Sequence, residues 1–323
     1  MTVSQLSLPR LGQFNSIARI SECDGFCHWF AGFTAAEGSF SISQNGNGLG
    51  VLCRLSISLR DDDSTILESI YKTLGVGTLH SRSSRCNQNQ QITWAVHKNR
   101  HHIEVILPIF EKFPLRAKKQ KDFNTFAQAV RLIYSKKHLT PLGAIEIRKL
   151  QNRLRSERQY IDPGIIKGEN SKKPDFNAAF GNWLAGMIDG DGCFTIHCKD
   201  GKYFSCRLSL GLRRDDLEIL QRIQKTLGTG HITIKDEKTN GKYPQAVWSV
   251  TRISDLINII IPLFRRYPLR TKKQQDFGIW SQAVNLLSSK GYFYPISVRE
   301  NVSLLRKRLM RQRTYTAHGK TND

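Results

Sequence analysis

What this sequence most lacks is acid. It has 27 aspartates and glutamates against 49 lysines and arginines in 323 residues, a net charge of +22. An excess of that size in both halves points to a polyanionic partner, nucleic acid first. An anionic membrane is the weaker reading, because there is no long apolar run and no amphipathic basic helix with a Trp/Phe face. Paired cysteines are lacking too. The seven present (Cys23, Cys27, Cys53, Cys86, Cys193, Cys198, Cys206) are odd in number and share no repeated spacing, so they read as reduced intracellular thiols. Cys23, Cys27 and His28 invite a zinc reading, but no second ligand pair with finger-like spacing follows. The N-terminus lacks acids and also lacks the continuous apolar core of a secretory signal, which leaves an organelle-transit segment or a disordered arm.

What is present is a phrase that occurs twice. Trp29 to Phe40 reads WFAGFTAAEGSF and Trp183 to Phe194 reads WLAGMIDGDGCF. Trp94 and Trp248, and Pro114 and Pro268, keep the same offset, so the duplication covers whole half-chains. LRDDDSTILESIYKTLGVG (Leu59 to Gly77) is echoed by LRRDDLEILQRIQKTLGTG (Leu212 to Gly230), and FPLRAKKQKDF (Phe113 to Phe123) by YPLRTKKQQDF (Tyr267 to Phe277). A period this long suits two homologous domains of ordinary size rather than a solenoid.

Composition, 39% hydrophobic and 24% charged, is that of a globular chain long enough for two cores. Each motif reads as a helix, with Trp29, Phe30 and Phe33, or Trp183, Leu184, Met187 and Ile188, at helical spacing and Gly38 or Gly192 ending it. Strands follow with one apolar and one polar, basic face. Phe40 and Ile42 alternate with Ser39, Ser41 and Ser43, and Leu55, Ile57 and Leu59 with Arg54, Ser56, Ser58 and Arg60. A helix over 62–74 with acids in its first turn and Gly75 as its stop comes next. Strands over 78–82 and 90–96 and helices over 101–112 and 116–134 complete the half. The second half repeats the order at 193–199, 205–213, 215–227, 231–235, 245–250, 254–264 and 271–287. The fold class is α+β, two α-β-β-α-β-β-α units. The boundaries read as an N-terminal arm at 1–23, a first domain at 24–136, a basic linker at 137–176 with one helical stretch near 144–155, and a second domain at 177–323 ending in a basic segment.

Small residues set the chemistry of the repeated helix. Gly32 and Ala36 are four apart, as are Gly186 and Gly190, so one face of each helix lets two backbones approach closely. Helices meeting along that face bring Glu37 and Asp191 together, with the unsatisfied last carbonyls of each helix beside them. Carboxylates plus carbonyl oxygens suit a hard divalent cation, Mg²⁺ first. Asp189 has Ala35 as its counterpart and reads as a local or solvated residue, not a third catalytic acid.

WFAGFTAAEG and WLAGMIDGDG resemble the two signature helices of the LAGLIDADG homing endonucleases, specifically the single-chain, two-repeat class encoded in organellar introns. The resemblance runs from Trp29 to Lys137 and from Trp183 to Arg313. It implies two signature helices packed at a pseudo-twofold interface, a DNA-facing antiparallel saddle sheet in each half, and a monomer that makes a double-strand break with short 3′ overhangs. Glu37 and Asp191, with the carbonyls of Ala36 and Gly190, would hold Mg²⁺ or another divalent cation such as Mn²⁺, and each acid would serve one strand. Lys98 and Arg252, just after the fourth strand of each half, match a basic position that in the family lies near the scissile phosphates. Where many relatives carry Gln at the end of the second strand, this chain has Leu59 and Leu212.

The same resemblance gives the polar strand faces a role in reading double-stranded DNA. In the first half these are Ser39, Ser41, Ser43, Arg54, Ser56, Ser58, Arg60, Thr78, His80, Arg82, Gln91 and Thr93. In the second they are Thr195, His197, Lys199, Arg207, Ser209, Arg213, His231, Thr233, Lys235, Gln245 and Ser249. The alternative from a different class is an RNA-binding intron maturase, acting alone or in addition, with its own intron RNA as partner and basic residues such as Arg306, Lys307, Arg308, Arg311 and Arg313 in contact with it. Location in an organelle, mitochondrion or plastid, follows from the resemblance.

Overall fold

The computed structural model describes residues 24–44, 50–82, 90–156, 177–235, 243–288 and 294–312. The arm at 1–23, the linker residues 157–176, Cys86, and Arg313 with the rest of the C-terminus lie outside the described residues, as does the side chain of Arg82.

Each half opens with a helix that is apolar nearly all round. α1 (Asp24–Glu37) buries Phe26, Trp29, Phe30 and Phe33, and α7 (Ala178–Asp191) buries Phe180, Trp183, Leu184 and Met187. Such a helix belongs in the centre of a protein, and these two pack on each other. After α1 come β1 (Gly38–Gln44), β2 (Val51–Arg60), a 3₁₀ turn (Asp61–Asp63), α2 (Ser64–Leu74), β3 (Thr78–Arg82) and β4 (Gln91–Val96). A helix broken by a π-helical stretch (His102–Ile106) follows as α3 (Asn99–His101) and α4 (Leu107–Lys112), then α5 (Lys119–Tyr134) and α6 (Pro141–Ser156). The second half runs β5 (Gly192–Lys199), β6 (Tyr203–Arg213), α8 (Leu217–Leu227), β7 (His231–Lys235) and β8 (Gln245–Val250). It closes with α9 (Ile253–Asp255), α10 (Ile261–Arg266), α11 (Lys273–Ser288) and α12 (Ile296–Gln312).

Both sheets are antiparallel and share one strand order, β1-β2-β4-β3 and β5-β6-β8-β7. Alternation assigns their faces. Phe40, Leu55, Ile57 and Trp94 point into the first core, and Phe194, Leu208, Leu210 and Trp248 into the second. Aromatic clusters close each core at matching places: Phe40 lies 5.0 Å from Phe126 of α5, and Phe194 lies 5.1 Å from Trp280 of α11.

The expected α-β-β-α-β-β-α order is present in each half, followed by two further helices, α5 and α6 in the first and α11 and α12 in the second. α6 packs on α5 and β1, with Gln151 donating to the Ile42 carbonyl at 3.4 Å, and α12 packs on α11 and β5. The helical part of the expected linker therefore covers the first sheet. Gly38 and Gly192 end the two helices as expected, and each is the first residue of the strand that follows, β1 or β5; Gly192 has φ −72° and ψ 152°. They are glycines for room, because a β-carbon would meet the Thr34 carbonyl oxygen at 2.5 Å or the Ile188 carbonyl oxygen at 2.6 Å.

Candidate active site

The small-residue faces bring α1 and α7 into backbone contact. A β-carbon added at Gly32 would lie 1.9 Å from the Trp183 carbonyl oxygen, and one at Gly186 would lie 2.0 Å from that of Trp29. Further along, Gly190 faces Ala36 and the Glu37 side chain, with an added β-carbon 3.2 Å from Glu37 Cγ. The two helix ends thus sit side by side, and Glu37 and Asp191 with them.

Electrostatics agree with that placement. Burial raises the Glu37 carboxyl above its ordinary range, and the Asp191 charge raises it further. Asp191 reaches solvent along one edge while the protein packed around its carboxyl raises it as well. An ionised pair in such a place is only partly solvated and repels itself, so a cation stabilises it. The structure already brings one: Lys273 Nζ donates to the Gly190 carbonyl and, at 3.2 Å, to that of Ile188, at the negative end of α7. Burial pushes the Lys273 ammonium below its ordinary range, against the pull of Asp189, Asp191 and Glu37. Its repeat counterpart Lys119 also acts on both acids. A cavity of about 200 Å³ beside Asp191 is lined by Ala36, Lys119, Asp122, Leu212 and Asp216, among others. The donors therefore fit a hard divalent cation: two carboxylates and helix-end carbonyls where positive charge is favoured. Among the described residues no group of three or more His, Cys, Asp or Glu forms a separate metal cluster.

Asp189 has a different place from the one expected. It is buried, and it accepts from Trp29 Nε1 at 2.7 Å, Arg270 N at 2.7 Å, Thr271 N at 3.1 Å and Thr271 Oγ1 at 2.5 Å. This carboxylate ties α1, α7 and the loop leading to Lys273 together. The first half has Ala35 and Ala117 instead, and Trp183 Nε1 donates to the Leu115 carbonyl at 3.0 Å. The paired change of Ala35 with Asp189 and Ala117 with Thr271 was visible in the aligned repeats and signals the tie.

Adjacent lysines divide the work. Lys118 and Lys272, one residue before the lysines that act on the acids, reach across the seam instead. Lys118 Nζ pairs with Asp215 and its backbone N–H donates to Asp216 at 2.9 Å, while Lys272 Nζ pairs with Asp62 at 2.7 Å and Asp63 at 3.6 Å. Asp62 also holds Arg60 and Asp215 holds Arg213, so these two arginines, expected to read DNA, are each tied to a carboxylate of the seam.

Strand register puts the remaining groove residues on one face. Ser39 pairs with Ser56 and Ser41 with Arg54; Ser58 pairs with Thr93, which also pairs with His80, and Gln91 lies between Arg60 and Arg82. Ser43 and Thr78 share that parity. In the second sheet Thr195 pairs with Arg207, Ser209 lies beside Ser249 and His231, Lys235 pairs with Gln245, and His197, Lys199 and Thr233 fall on the same face. Tyr203 and Ser205 also lie there, unmentioned above although their alternation places them. Leu59 and Leu212 have the opposite parity and pack against the core. Lys98 and Arg252 are exposed at the starts of α3 and α9, and Lys98 acts on His101. Lys119 and Lys273, whose signal was the repeated KKQ, act on both acids. Cys27 is buried in the core and His28 meets Phe113 edge-on at 4.7 Å, positions of packing.

Comparison with known proteins gives the same outline. A family model described as LAGLIDADG endonuclease matches residues 30–130 and 184–284. The probable intron-encoded endonuclease 2 of Neurospora crassa is 28% identical over 81% of this chain and 60% of its own length. The chain spans 53% and 60% of the length of two of the curated relatives it matches. A shorter likeness, 42% identical over 64 residues, 20% of this chain and 9% of the relative, is to the intron-encoded RNA maturase bI4 of Saccharomyces cerevisiae. In fold, the solved structure of the I-SmaMI LAGLIDADG homing endonuclease bound to cleaved DNA superposes with a TM-score of 0.71, at 22% identity, over 89% of this chain and 98% of that one. Two motif helices in backbone contact, two sheets of one topology and a family match in each half lead to one conclusion: the chain belongs to the LAGLIDADG endonuclease family.

Proposed function

We propose that the protein is a site-specific homing endonuclease that makes a metal-dependent double-strand break in a long asymmetric DNA target and so promotes intron homing. The observation that carries the reading is the meeting of Glu37 and Asp191 at the ends of two helices in backbone contact, with Lys119 and Lys273 beside them. Glu37, Asp191 and the carbonyls of Ala36 and Gly190 would hold Mg²⁺ or Mn²⁺. When bound, the cation supplies Lewis acidity at the scissile phosphate and lowers the pKa of water.

The chain's own groups do the rest. Lys119 and Lys273 concentrate positive charge where a phosphate enters and orient it against the acids. Lys98 and Arg252, just after the fourth strand of each half, would stand near the scissile phosphates. The polar sheet faces read the duplex, Arg and Lys toward guanine, Gln toward adenine, Ser and Thr toward bases or phosphates. Because the halves differ at many groove positions, Ser43 against His197 and Thr78 against His231 among them, a monomer can read a target without symmetry. The domain boundaries at 24–136 and 177–323 and an organellar location, mitochondrion or plastid, belong to this reading.

The test uses plasmid DNA carrying the joined exons that flank this reading frame. Wild-type protein with Mg²⁺ should linearise it, whereas Glu37→Gln and Asp191→Asn should bind the same duplex without linearising it. Cleavage by either variant at the wild-type rate would remove the acids from the chemistry. An intron-maturase activity, alone or in addition, is supported by the 64-residue likeness and by the exposed basic residues Lys307, Arg308 and Arg311 of α12. Splicing of the intron RNA by the two acid variants would separate it from cleavage.

A further inference from the structure

A second cavity of about 250 Å³ lies on the seam between the repeats, next to the active-site cavity, with which it shares Ala117, Lys118 and Asp216. Cations from both halves line it: Arg116, Lys118 and Lys121 from the start of α5 and the loop before it, and Arg222 from α8. The acids of the lining are Asp215, Asp216 and Glu218. Two are engaged, Asp215 by Lys118 and Arg213, and Asp216 by the Lys118 backbone N–H. That leaves Arg116, Lys121 and Arg222 facing one exposed carboxylate.

Arg116 is the unusual member. It is half-buried, lies with its guanidinium 5.7 Å from the Trp183 ring centre, and makes no ion pair or hydrogen bond to a carboxylate among the described residues. Burial and then the Arg222 charge both push its guanidinium below the ordinary range. Its backbone is also left-handed, φ 67°, a conformation that side chains other than glycine's rarely adopt and that tends to persist at binding sites. The repeat does not account for it. The counterpart Arg270 is not left-handed, Lys121 is matched by Gln275, Arg222 by Ser69 and Glu218 by Thr65. One flank of the seam therefore carries a cation cluster and the other does not. Two guanidinium groups drawn together in a partly dry cavity repel unless an anion joins them, and the forked donors of arginine match the oxygens of a phosphate.

We propose that this seam cavity is a phosphate-binding site, in which Arg116 and Arg222 grip one phosphate group and Lys121 neutralises it. The phosphate is either a phosphodiester of the bound duplex, which rests on the endonuclease reading, or a free phosphate, which does not.

Arg222→Ser and Lys121→Gln install the residues of the other repeat. Lys72→Gln, on the exposed face of α2, removes the same charge elsewhere. Two measurements separate the sources: calorimetric titration of the full chain with inorganic phosphate, and duplex affinity as a function of salt. For a duplex phosphate, Arg222→Ser should make the slope of log affinity against log salt shallower by about 0.9, with Lys72→Gln unchanged and no heat from inorganic phosphate. For a free phosphate, wild type and Lys72→Gln should both release the heat of binding and Arg222→Ser should lose it. Indistinguishable behaviour of Arg222→Ser and Lys72→Gln in both measurements overturns the proposal. A wild type that binds no duplex sinks the endonuclease reading, while the inorganic-phosphate titration still decides the cavity.

Discussion

The close crossing of α1 and α7 can be tested by adding one methyl group. In Gly186→Ala the new β-carbon would sit 2.0 Å from the Trp29 carbonyl oxygen and 2.6 Å from Phe33 N, closer than the 3.0 Å below which real β-carbons are essentially never found. Both neighbours are backbone, so no rotamer change relieves the clash. The helices must separate by about 1 Å, the difference between 3.0 and 2.0 Å, and Trp29, Phe33, Trp183 and Met187 lose packing along the seam. Overpacking of this kind costs about 1–3 kcal/mol, and rigid neighbours put Gly186→Ala near the upper end. The same separation displaces Glu37 from Asp191, and a shift of about 1 Å at reacting groups is able to lower a rate roughly 100-fold. Gly278→Ala is the matched control, because an added β-carbon in the middle of α11 meets nothing within 4 Å. Relief of the glycine helix penalty should make that variant about 1 kcal/mol more stable. Urea unfolding followed by tryptophan fluorescence measures both variants, and plasmid linearisation measures the first. A Gly186→Ala protein as stable and active as wild type would refute the backbone contact.

Asp189→Leu should cost at least about 3 kcal/mol in the same unfolding assay, because it leaves Trp29 Nε1 and the amides of Arg270 and Thr271 buried without an acceptor. A loss under about 1 kcal/mol would make Asp189 the solvated residue its repeat counterpart suggested. His102 is buried, its ring 3.2 Å from the Cys53 carbonyl oxygen, and burial pushes it down to about 4. Folded protein then binds fewer protons than unfolded protein between pH 6.5 and about 4, so stability should fall with pH across that window by about 3 kcal/mol. His102→Leu, which installs the Leu256 of the second repeat, should remove that part of the acid loss; an unchanged pH profile would count against a buried neutral imidazole. Breaking the seam by Lys272→Met should leave Asp62 and Asp63 facing each other near Arg60 and loosen the repeats. Domain-resolved hydrogen exchange should show faster exchange at both ends of the seam and none in the sheet centres.

Much of the candidate site was legible because its determinants are local. Gly32, Ala36, Gly186 and Gly190 lie four apart on single helices, so the face they share follows from helical period alone. The groove residues follow from strand period, and the register confirms their parity from Ser39 through Ser249. Gly38 and Gly192 end their helices as their place after the apolar run indicates, but that they are glycines to make room at a crowded exit follows only from the surrounding atoms.

Sequence alone determined the duplication, the strand faces, the close helical crossing and the two acids at its end, because each is written in the spacing of residues within one element. Tertiary structure decided which cations serve those acids. Lys119 and Lys273 stand 82 residues after Glu37 and Asp191 in their own repeats, and only folding of the intervening sheet returns them to the helix ends. It also decided that Asp189 takes Trp29 from 160 residues away, and that Lys118 and Lys272 close the seam while their neighbours face the acids. Side chains adjacent in sequence point in different directions, and what each one meets is set by the opposite half of the molecule.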